Sequence, residues 1–460
     1  MISYNGLWRY PFMAMNQNVF LHETDRAAMD ALKAIPGFSQ VTKAFMSGWS
    51  EKMMYMENLA SYVRISEDQL PRYHAMLKEI SEKLGIETPD LFLKLDVLPN
   101  AYTAGDTKPF IVITSGLLET IPDELIPCVL AHECGHIVCH HVLYRTMGSW
   151  ILSGAMALIP LSAALIWPVM NAFRRWMRCS ELSADRAAVL CMGGPDQLIE
   201  MCMRFAGFTK KVNDEMNVEA FMKQAEEFSQ FTSDNVFNKT MEHLRFSQAT
   251  HPIHAVRAYE CRKWTQSEDY LLAKEYFDAY QRNEKPSRLP VSWNKKSFTG
   301  RSTKETMKAL YDLGFEHIAL TPSNQGSLFI KENDVLETLI NGSGDYQEGN
   351  WIDADAKIEL KYYLPDSSAL SKKSRSTGIS LKHSSAWYTG RPYEESEKEF
   401  VKAGFRDVRS EAVYDLDDPA DERRGRIIRV SLGNDTVFRQ GEFVAPDVEI
   451  VISYHDIRKD

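Results

Sequence analysis

The sequence of 460 residues has no surplus of basic charge and few cysteines. Its formal net charge is −10 at pH 7, from 53 Lys and Arg against 63 Asp and Glu, which argues against nucleic acid as a partner. Seven cysteines, with no Cys-x-x-Cys pair, argue against a disulfide scaffold and against a thiolate zinc site. We expect them to be small buried apolar residues in a reducing cytoplasmic compartment. The first residues lack a basic segment that leads into an apolar run, so we expect no signal peptide.

The most informative stretch is the pentapeptide His132 to His136, which has the pattern His-Glu-x-x-His. Residues four apart share one face of a helix, so both imidazoles would aim at one point. This arrangement suits tetrahedral zinc, and Glu133 would lie beside it, where a carboxylate can take a proton from water. The alternative is a pair of solvated or core histidines that bind no metal.

The residues around this motif predict a buried amphipathic helix. The segment from Thr120 to Asp123 has the features of a helix start, namely a capping hydroxyl, an early proline and acidic residues in the first turn. An apolar stripe with spacings of three and four residues follows, formed by Ile126, Leu130, Cys134 and Ile137.

Two histidines leave a catalytic zinc one protein ligand short. Glu181 and Asp185 lie four apart in a segment, 174–192, that reads as a helix. Glu181 is the candidate third ligand, and Asp185 could accept the free ring N–H of a ligand histidine. Such a pair of acids alone is more often part of a solvated face, and only the first motif favours ligation. Arg178 or Arg257 is a candidate to pair with one of these acids.

These motifs resemble those of the HtpX and CaaX-prenyl-protease type of zinc endopeptidase, a gluzincin family. The resemblance covers about residues 20–260. Its blocks, in chain order, are Asp25 to Ala28, Asn100 with Ala101, Ile111 to Leu118, Glu124 with Leu125, Val129 to His136, Glu181 to Asp185, and Thr250 to Pro252 with Arg257. The resemblance implies an α+β fold, with a mostly helical zincin-type protease domain and a small sheet.

The same resemblance implies one Zn²⁺ per chain, held by His132, His136 and Glu181, with Glu133 as the catalytic base. It also implies that His251 lies close to the site and binds the substrate carbonyl or the oxyanion. The expected activity is hydrolysis of peptide bonds in protein or peptide substrates. A competing hypothesis is a non-catalytic or latent zinc-binding scaffold whose C-terminal part binds a partner. A structural zinc would normally be closed by four protein ligands, whereas three are visible here, which favours the enzyme.

One stretch, Trp150 to Phe173, contains 24 residues without a charge, which is long enough to span a membrane. One crossing would put His136 and Glu181 on opposite sides of the bilayer, and two crossings need about 40 residues. Pro160 and Pro168 also interrupt the stretch. We therefore expect a buried or partly exposed helical hairpin in a cytoplasmic protein, with peripheral membrane contact through 150–173 as an open alternative.

Ahead of the histidine motif the pattern predicts helices and two strands. Residues 24–64 read as interrupted helices, and 66–84 as one further helix. Residues 91–98 and 110–114 read as strands. The second strand is either the lip of a cleft, to which a substrate strand adds, or an ordinary interior strand.

The C-terminal third is a duplication with an offset of 90 to 92 residues. The matched segments are 297–301 with 387–391, 310–315 with 400–405, 347–351 with 439–443, and 358–362 with 450–454. Each unit predicts an amphipathic helix that ends at Gly-Phe, followed by strands. The units resemble small α/β PASTA-like modules, which implies recognition of a substrate or of an unknown partner. The predicted divisions are a protease domain at 1–284, a linker at 283–290, and repeats at 291–366 and 380–460.

Overall fold

The computed structural model describes much of the chain, with short gaps between the described ranges. These ranges are residues 15–153, 163–207, 212, 215–233, 254–324, 330–364, 379–418, 420–433, 435–444 and 448–458. The chain forms two compact units, residues 1–321 with 335–361 and residues 322–334 with 362–460. The domain boundaries expected from the sequence stay a prediction.

Helices dominate the part of the chain before residue 284, and short sheets follow, so the predicted α+β class is confirmed. The helices of this part are α1 Glu23–Lys33, α2 Phe38–Gly48, α3 Glu51–Ser61, α4 Pro71–Leu84, α5 Ser115–Thr120, α6 Ile126–Val138, α7 Val142–Leu152, α8 Ala163–Met192, α9 Asp196–Ala206, α10 Val218–Ser233, α11 His254–Thr265 and α12 Glu268–Gln281. Short 3-10 turns lie at Gln17–Val19 and Asp123–Leu125.

A four-stranded sheet lies among these helices. Its strands are β1 Val63–Ile65, β2 Asp90–Lys94, β3 Ala101–Ala104 and β4 Phe110–Thr114, in the order β1-β2-β4-β3. Strand β4 is parallel to β2 and antiparallel to β3, and all five of its residues are buried. Residues 110–114 therefore form an ordinary interior strand, which was one of the two predicted alternatives. The two terminal strands are β1 and β3, and the sequence pattern predicted neither.

The histidine motif lies on α6, which packs between α4 and α8. The helix begins at Ile126, with Pro127 in its first turn, and Thr120 is instead the last residue of α5. The predicted start was too early because the extended backbone at Pro122 and a 3-10 turn separate the two helices. A Cβ on Gly135 would lie 2.8 Å from Cβ of Ala187, so this glycine permits the close approach of α6 to α8.

Helix α8 contains Glu181 and Asp185, and it begins at Ala163 rather than at residue 174 as predicted. Pro168 lies inside α8 and does not interrupt it, contrary to the prediction. Val169 and Phe173 are buried in the core, whereas the side chain of Trp167 is 68% exposed. Residues 154–162, which include Pro160 and the tip of the expected hairpin, lie outside the described residues. Within the described ranges, no helix combines the length and the apolar character needed to cross a bilayer.

The two repeats have the same strands and main helix in the same order, and the second has one additional short helix. The first contains β5 Arg288–Pro290, α13 Thr303–Asp312, β6 Ile318–Ser323, β7 Val335–Ile340, β8 Trp351–Asp353 and β9 Ile358–Tyr363. The second contains β10 Ile379–Ser380, α14 Ser385–Tyr388, α15 Tyr393–Ala403, β11 Asp407–Leu416, β12 Ile427–Leu432, β13 Phe443–Val444 and β14 Glu449–Ile457.

The pairing of these strands confirms the duplication. Strand orders β5-β8 and β6-β9-β7 in the first repeat correspond to β10-β13 and β11-β14-β12 in the second. The turn before each main helix is also shared. Gly300 and Gly390 both have φ +79, and their N–H groups donate to the carbonyls of Val335 and Ile427 at 2.9 and 2.8 Å. Only glycine adopts this backbone conformation without steric cost.

The first repeat contacts the helical part of the chain. Strand β5 pairs with β8, so the end of the predicted linker is part of a sheet. Trp351 on β8 donates its indole N–H to Asp269 Oδ1 at 2.8 Å, and its ring lies 6.3 Å from that of Tyr276.

Candidate metal centre

Three predicted residues from two helices meet at one buried point. His132 and His136 lie one turn apart on α6, and Glu181 reaches them from α8. The Nε2 atoms of His132 and His136 lie 3.4 Å from Oε2 and Oε1 of Glu181, respectively. The three ligand atoms lie within 4.8 Å of one another, and all three side chains are buried. The structure thus brings together two residues from one motif and one that lies 45 or more positions later.

Asp185 orients the ring of His132. Its Oδ1 lies 2.9 Å from Nδ1 of His132, and because a carboxylate only accepts, that nitrogen carries the hydrogen. Arg257 from α11 binds the same carboxylate through Nε at 2.8 Å and Nη2 at 2.5 Å. Burial alone would raise the pKa of Asp185, but the charge of Arg257 and the hydrogen bonds from Arg257 and His132 together hold that pKa below its ordinary value.

His132 is itself held between two carboxylates. Burial alone would lower the pKa of His132, but its hydrogen bonds to Asp185 and Glu181 outweigh burial and raise the pKa to about 9. The carboxylates that favour a proton on this ring also favour a metal ion at the same place, since metal binding displaces the proton from Nε2.

The ring of His136 has a different environment. Its Nδ1 lies 3.0 Å from Nδ1 of His141, a residue in the turn between α6 and α7. Burial and the nearby charge of Arg145 lower the pKa of His136 well below its ordinary value. The ring is therefore neutral, which is the state in which imidazole binds a metal.

Two arginines offset the charge of Glu181. Nη1 of Arg145 on α7 lies 2.7 Å from Oε1, and Nη1 of Arg257 lies 3.6 Å from Oε2. Arg145 also donates to Ser180 Oγ at 3.0 Å, which fixes it against α8. A buried carboxylate needs such partners to remain ionised.

Glu133 follows His132 on α6, and a residue of the sheet holds its side chain. The hydroxyl of Thr103 on β3 donates to Glu133 Oε2 at 2.6 Å, and both side chains are buried. The other carboxylate oxygen is available to a reactant. This bond also ties β3 to α6.

These residues fit a zinc ion. The donor set of two imidazoles and one carboxylate is that of catalytic zinc sites with a fourth position for solvent. A nitrogen–oxygen separation of 3.4 Å is close to the roughly 3.3 Å between two ligands of a tetrahedral ion with bonds of about 2.0–2.1 Å. Nε2 of His136 is buried and makes no hydrogen bond to the described residues, and such an atom is costly unless a metal or water satisfies it.

A cavity of ≈ 840 Å³ is lined in part by Thr103 and Arg145, which contact Glu133 and Glu181, although none of the three candidate ligands lines it. Its wall includes β3, the side chain of Arg145, and the polar residues Thr146 and Ser149 of α7. The apolar part of the wall is formed by Trp49, Met53, Met54, Met56, Trp150 and Met177. Flexible methionine side chains adapt to apolar groups of different shape.

Comparison with known proteins agrees with this geometry. Residues 67–265 match the model of Peptidase family M48. The plastoglobule-localized metallopeptidase 48, chloroplastic, of Arabidopsis thaliana is 33% identical over 261 residues, which cover 56% of this chain and 76% of that protein. The chain belongs to peptidase family M48. The resemblance to HtpX-type proteases is thereby confirmed, and the protein is a metallopeptidase.

Other M48 relatives are more distant. The protease HtpX homolog 2 of Methanosarcina mazei is 25% identical over 190 residues, which cover 36% of this chain and 64% of that protein. The chain thus spans slightly less than two thirds of this archaeal relative. The three-PASTA-domain structure of a Ser/Thr kinase from Staphylococcus aureus was also matched, with 13% identity, over 37% of this chain and 66% of that chain. Its TM-score is 0.14, so the description of the repeats rests on their own strand order.

Sequence reasoning found some residues of the M48 site and missed others. Of the two candidate arginines, Arg257 is the partner of Asp185. His251 lies outside the described residues, and its expected role stays a prediction. Thr103, Arg145 and His141 were missed. His141 could have been found from the sequence, because it lies five residues after His136. No sequence pattern identifies Thr103 or Arg145, whose roles depend on contacts formed when the chain folds.

Proposed function

We propose that this M48 member is a zinc-dependent metalloendopeptidase in which His132, His136 and Glu181 hold one Zn²⁺ and Glu133 is the general base. The observation that carries the proposal is the meeting of the three ligand atoms within 4.8 Å in a buried site, with the buried Glu133 next to His132 on the same helix. Three ligands and a neighbouring carboxylate suit catalysis, whereas a structural site would be closed by a fourth side chain.

The chemistry divides between the ion and the protein. When bound, zinc acts as a Lewis acid that activates water and stabilises negative charge on the substrate oxygen. Glu133 accepts the proton of the attacking water and delivers it to the leaving amine. The Thr103 hydroxyl holds one oxygen of Glu133 at 2.6 Å and leaves the other for this proton. Asp185 keeps the hydrogen of His132 on Nδ1, so that Nε2 remains a donor atom.

In this proposal the substrate binds along β3, a terminal strand of the sheet, and in the cavity that β3 helps to line. In the described chain β3 has a strand partner on one side only, and a peptide can add to the other side through main-chain hydrogen bonds. The N–H of Thr114 donates to the carbonyl of Asn100 at 3.0 Å. Bonded pairs alternate along an antiparallel ladder, so the backbone groups of Ala101 and Thr103 point to the free side. The methionine-lined cavity suits a large apolar side chain of the peptide.

The substitution Ser149→Trp tests this placement. An indole at the cavity wall should exclude a large apolar side chain and lower kcat/KM for peptides that carry one by about 10-fold or more, since apolar contacts of this kind are worth about 1–3 kcal/mol. Zinc content should not change, because Ser149 contacts no proposed ligand. The measurement is kcat/KM for matched peptides with Phe or Ala at each position near the cleavage point.

The control for this test is Ser149→Ala, which leaves the cavity open and should cleave like the wild type. Equal losses for the Phe and Ala peptides, or none for either, would show that the cavity does not select the substrate.

The proposed activity itself is tested with casein, an unstructured protein, and the full-length chain. We expect about one zinc per chain by metal analysis, loss of casein cleavage after dialysis against a zinc chelator, and recovery on addition of zinc. Cleavage that survives complete removal of zinc would overturn the proposal. Tight zinc binding without cleavage of casein or of a peptide library would favour the scaffold hypothesis instead. A recognition role for the repeats, and membrane contact through 150–173, stay predictions.

A further inference from the structure

The turn after α6 folds back over one of the proposed ligands. His140 has φ +55, and the N–H groups of His141 and His140 donate to the carbonyls of His136 and Ile137 at 2.9 and 3.0 Å. This is the hydrogen-bond pattern of a Schellman motif, which normally brings two apolar side chains together. Here it brings together two histidines, whose Nδ1 atoms lie 3.0 Å apart.

The second nitrogen of His141 faces a buried acid. Nε2 of His141 lies 2.9 Å from Oδ2 of Asp25 on α1. Asp25 is 1% exposed and accepts two further hydrogen bonds, from the indole of Trp176 at 2.9 Å and from the hydroxyl of Ser183 at 2.6 Å. That hydroxyl in turn accepts the backbone N–H of His22 at 2.9 Å, so its own hydrogen is directed to Asp25.

These contacts determine where each hydrogen lies. Asp25 receives hydrogens from three donors, so Nε2 of His141 carries its hydrogen. His136 can bind a metal through Nε2 only when its Nδ1 carries the hydrogen, and the lone pair on Nδ1 of His141, 3.0 Å away, can accept that hydrogen. That leaves the lone pair of His136 on Nε2, the buried atom that faces Glu181 at 3.4 Å. In this arrangement every polar atom from Asp25 to Nδ1 of His136 has a hydrogen-bond partner, and Nε2 of His136 is left to bind a metal.

We propose that His141 and Asp25 are positioning residues that fix the ring and the tautomer of His136 for metal binding. The inference rests on the proposed zinc site. The site then has two supporting carboxylates, one on each histidine ligand. Asp185 acts on His132 directly, whereas Asp25 acts on His136 through an intervening imidazole.

A purely structural role for Asp25 gives a different expectation. Two of its partners, Trp176 and Ser183, lie on α8, so Asp25 could serve only to attach α1 to α8. Loss of such an attachment lowers stability and leaves the metal affinity of the folded protein unchanged. Zinc affinity and the absorption spectrum of the cobalt-substituted protein therefore separate the two roles.

The experiment uses the full-length chain with the single substitutions His141→Leu, His141→Asn and Asp25→Asn, and with His141→Leu combined with Asp25→Asn. Leucine removes both nitrogens of the imidazole. Asparagine at 141 places an oxygen where Nδ1 was, and this oxygen can accept the hydrogen of His136. Asparagine at 25 presents a donor to at least one of the three groups that donate to Asp25. Matched controls are His140→Asn and Asp30→Asn, at exposed positions beside His141 and on α1.

Zinc affinity is measured by competition with a chromogenic chelator, and thermal unfolding of the zinc-free proteins reports stability. We expect His141→Leu and Asp25→Asn each to weaken zinc binding about 10–100-fold, the usual effect of losing a supporting hydrogen bond. His141→Asn should bind zinc more tightly than His141→Leu. The zinc affinity of the double variant should be only slightly below that of whichever single variant binds zinc less tightly. The controls should match the wild type. The cobalt spectrum should shift in the two weakened variants.

Unchanged zinc affinity in folded His141→Leu and Asp25→Asn would overturn the inference and leave the proposed function standing. The same conclusion follows if stability falls while affinity and the cobalt spectrum stay as in the wild type. If His141→Leu does not fold, the zinc affinities and cobalt spectra of His141→Asn and Asp25→Asn test the inference in the same way. A wild-type chain that binds no zinc would overturn the proposed function, and with it this inference.

Discussion

Glu133→Gln should remove peptide cleavage and leave zinc binding intact. The amide has nearly the same shape as the carboxylate but cannot accept the proton of water, and loss of a general base costs about 10²–10⁴-fold in kcat. Thr103 can still donate its hydroxyl hydrogen to the amide oxygen, so the side chain should stay in place. The measurement is kcat on a peptide substrate together with zinc content.

The matched control for this variant is Glu124→Gln, an exposed glutamate just before α6, which should behave like the wild type. Cleavage by Glu133→Gln at the wild-type rate would remove Glu133 from the mechanism. A loss of zinc together with activity would mean that Glu133 supports the metal centre rather than the proton transfer.

Glu181→Ala should remove most of the bound zinc. This side chain supplies the proposed third ligand, and Arg145 and Arg257 are already in place to hold its charge in a buried position. Loss of a direct ligand should cost more than the 10–100-fold that follows from loss of a supporting hydrogen bond. The expected result is substoichiometric zinc after purification, and no cleavage at zinc concentrations that saturate the wild type.

Two further variants make the result specific to the ligand. Glu181→Gln keeps the volume of the side chain and separates loss of the carboxylate from the effect of a cavity. Glu226→Ala, an exposed change of the same type on α10, should retain full zinc. Full zinc occupancy in Glu181→Ala would assign the third ligand to another residue.

The parts of the protein that could be predicted are those whose residues form a pattern along the chain, either within one helix or between the two repeats. The spacing of His132 and His136 on a helix, and of Glu181 and Asp185 on another, depends only on helical periodicity. The duplication could be read because matched segments recur at nearly constant offset, and the structure repeats the same strand order. The start of α6 was misplaced because Thr120 and Pro122 also suit the end of the preceding helix and an extended link.

Strand β3 was missed because its four residues, Ala101 to Ala104, are too few for a clear alternation. Its place at the end of the sheet depends on β4 pairing with both β2 and β3, which is a property of the folded chain. Pro168 was misread because a proline disfavours a helix locally, whereas α8 is held by packing of Val169 and Phe173 in the core.

The sequence by itself determined the family, the candidate ligands His132, His136 and Glu181, and the two repeats, because each is marked by a pattern along the chain, either helical spacing within a motif or a nearly constant offset between repeats. Only the tertiary structure decided which groups besides Asp185 support the site, and which of the two candidate arginines pairs with Asp185. Thr103 lies 30 residues from Glu133, Asp25 lies 116 residues from His141, and Arg257 lies 72 residues from Asp185. Such contacts form when helices and strands distant in sequence pack together, and the packing that selects them leaves no periodic signal in the chain.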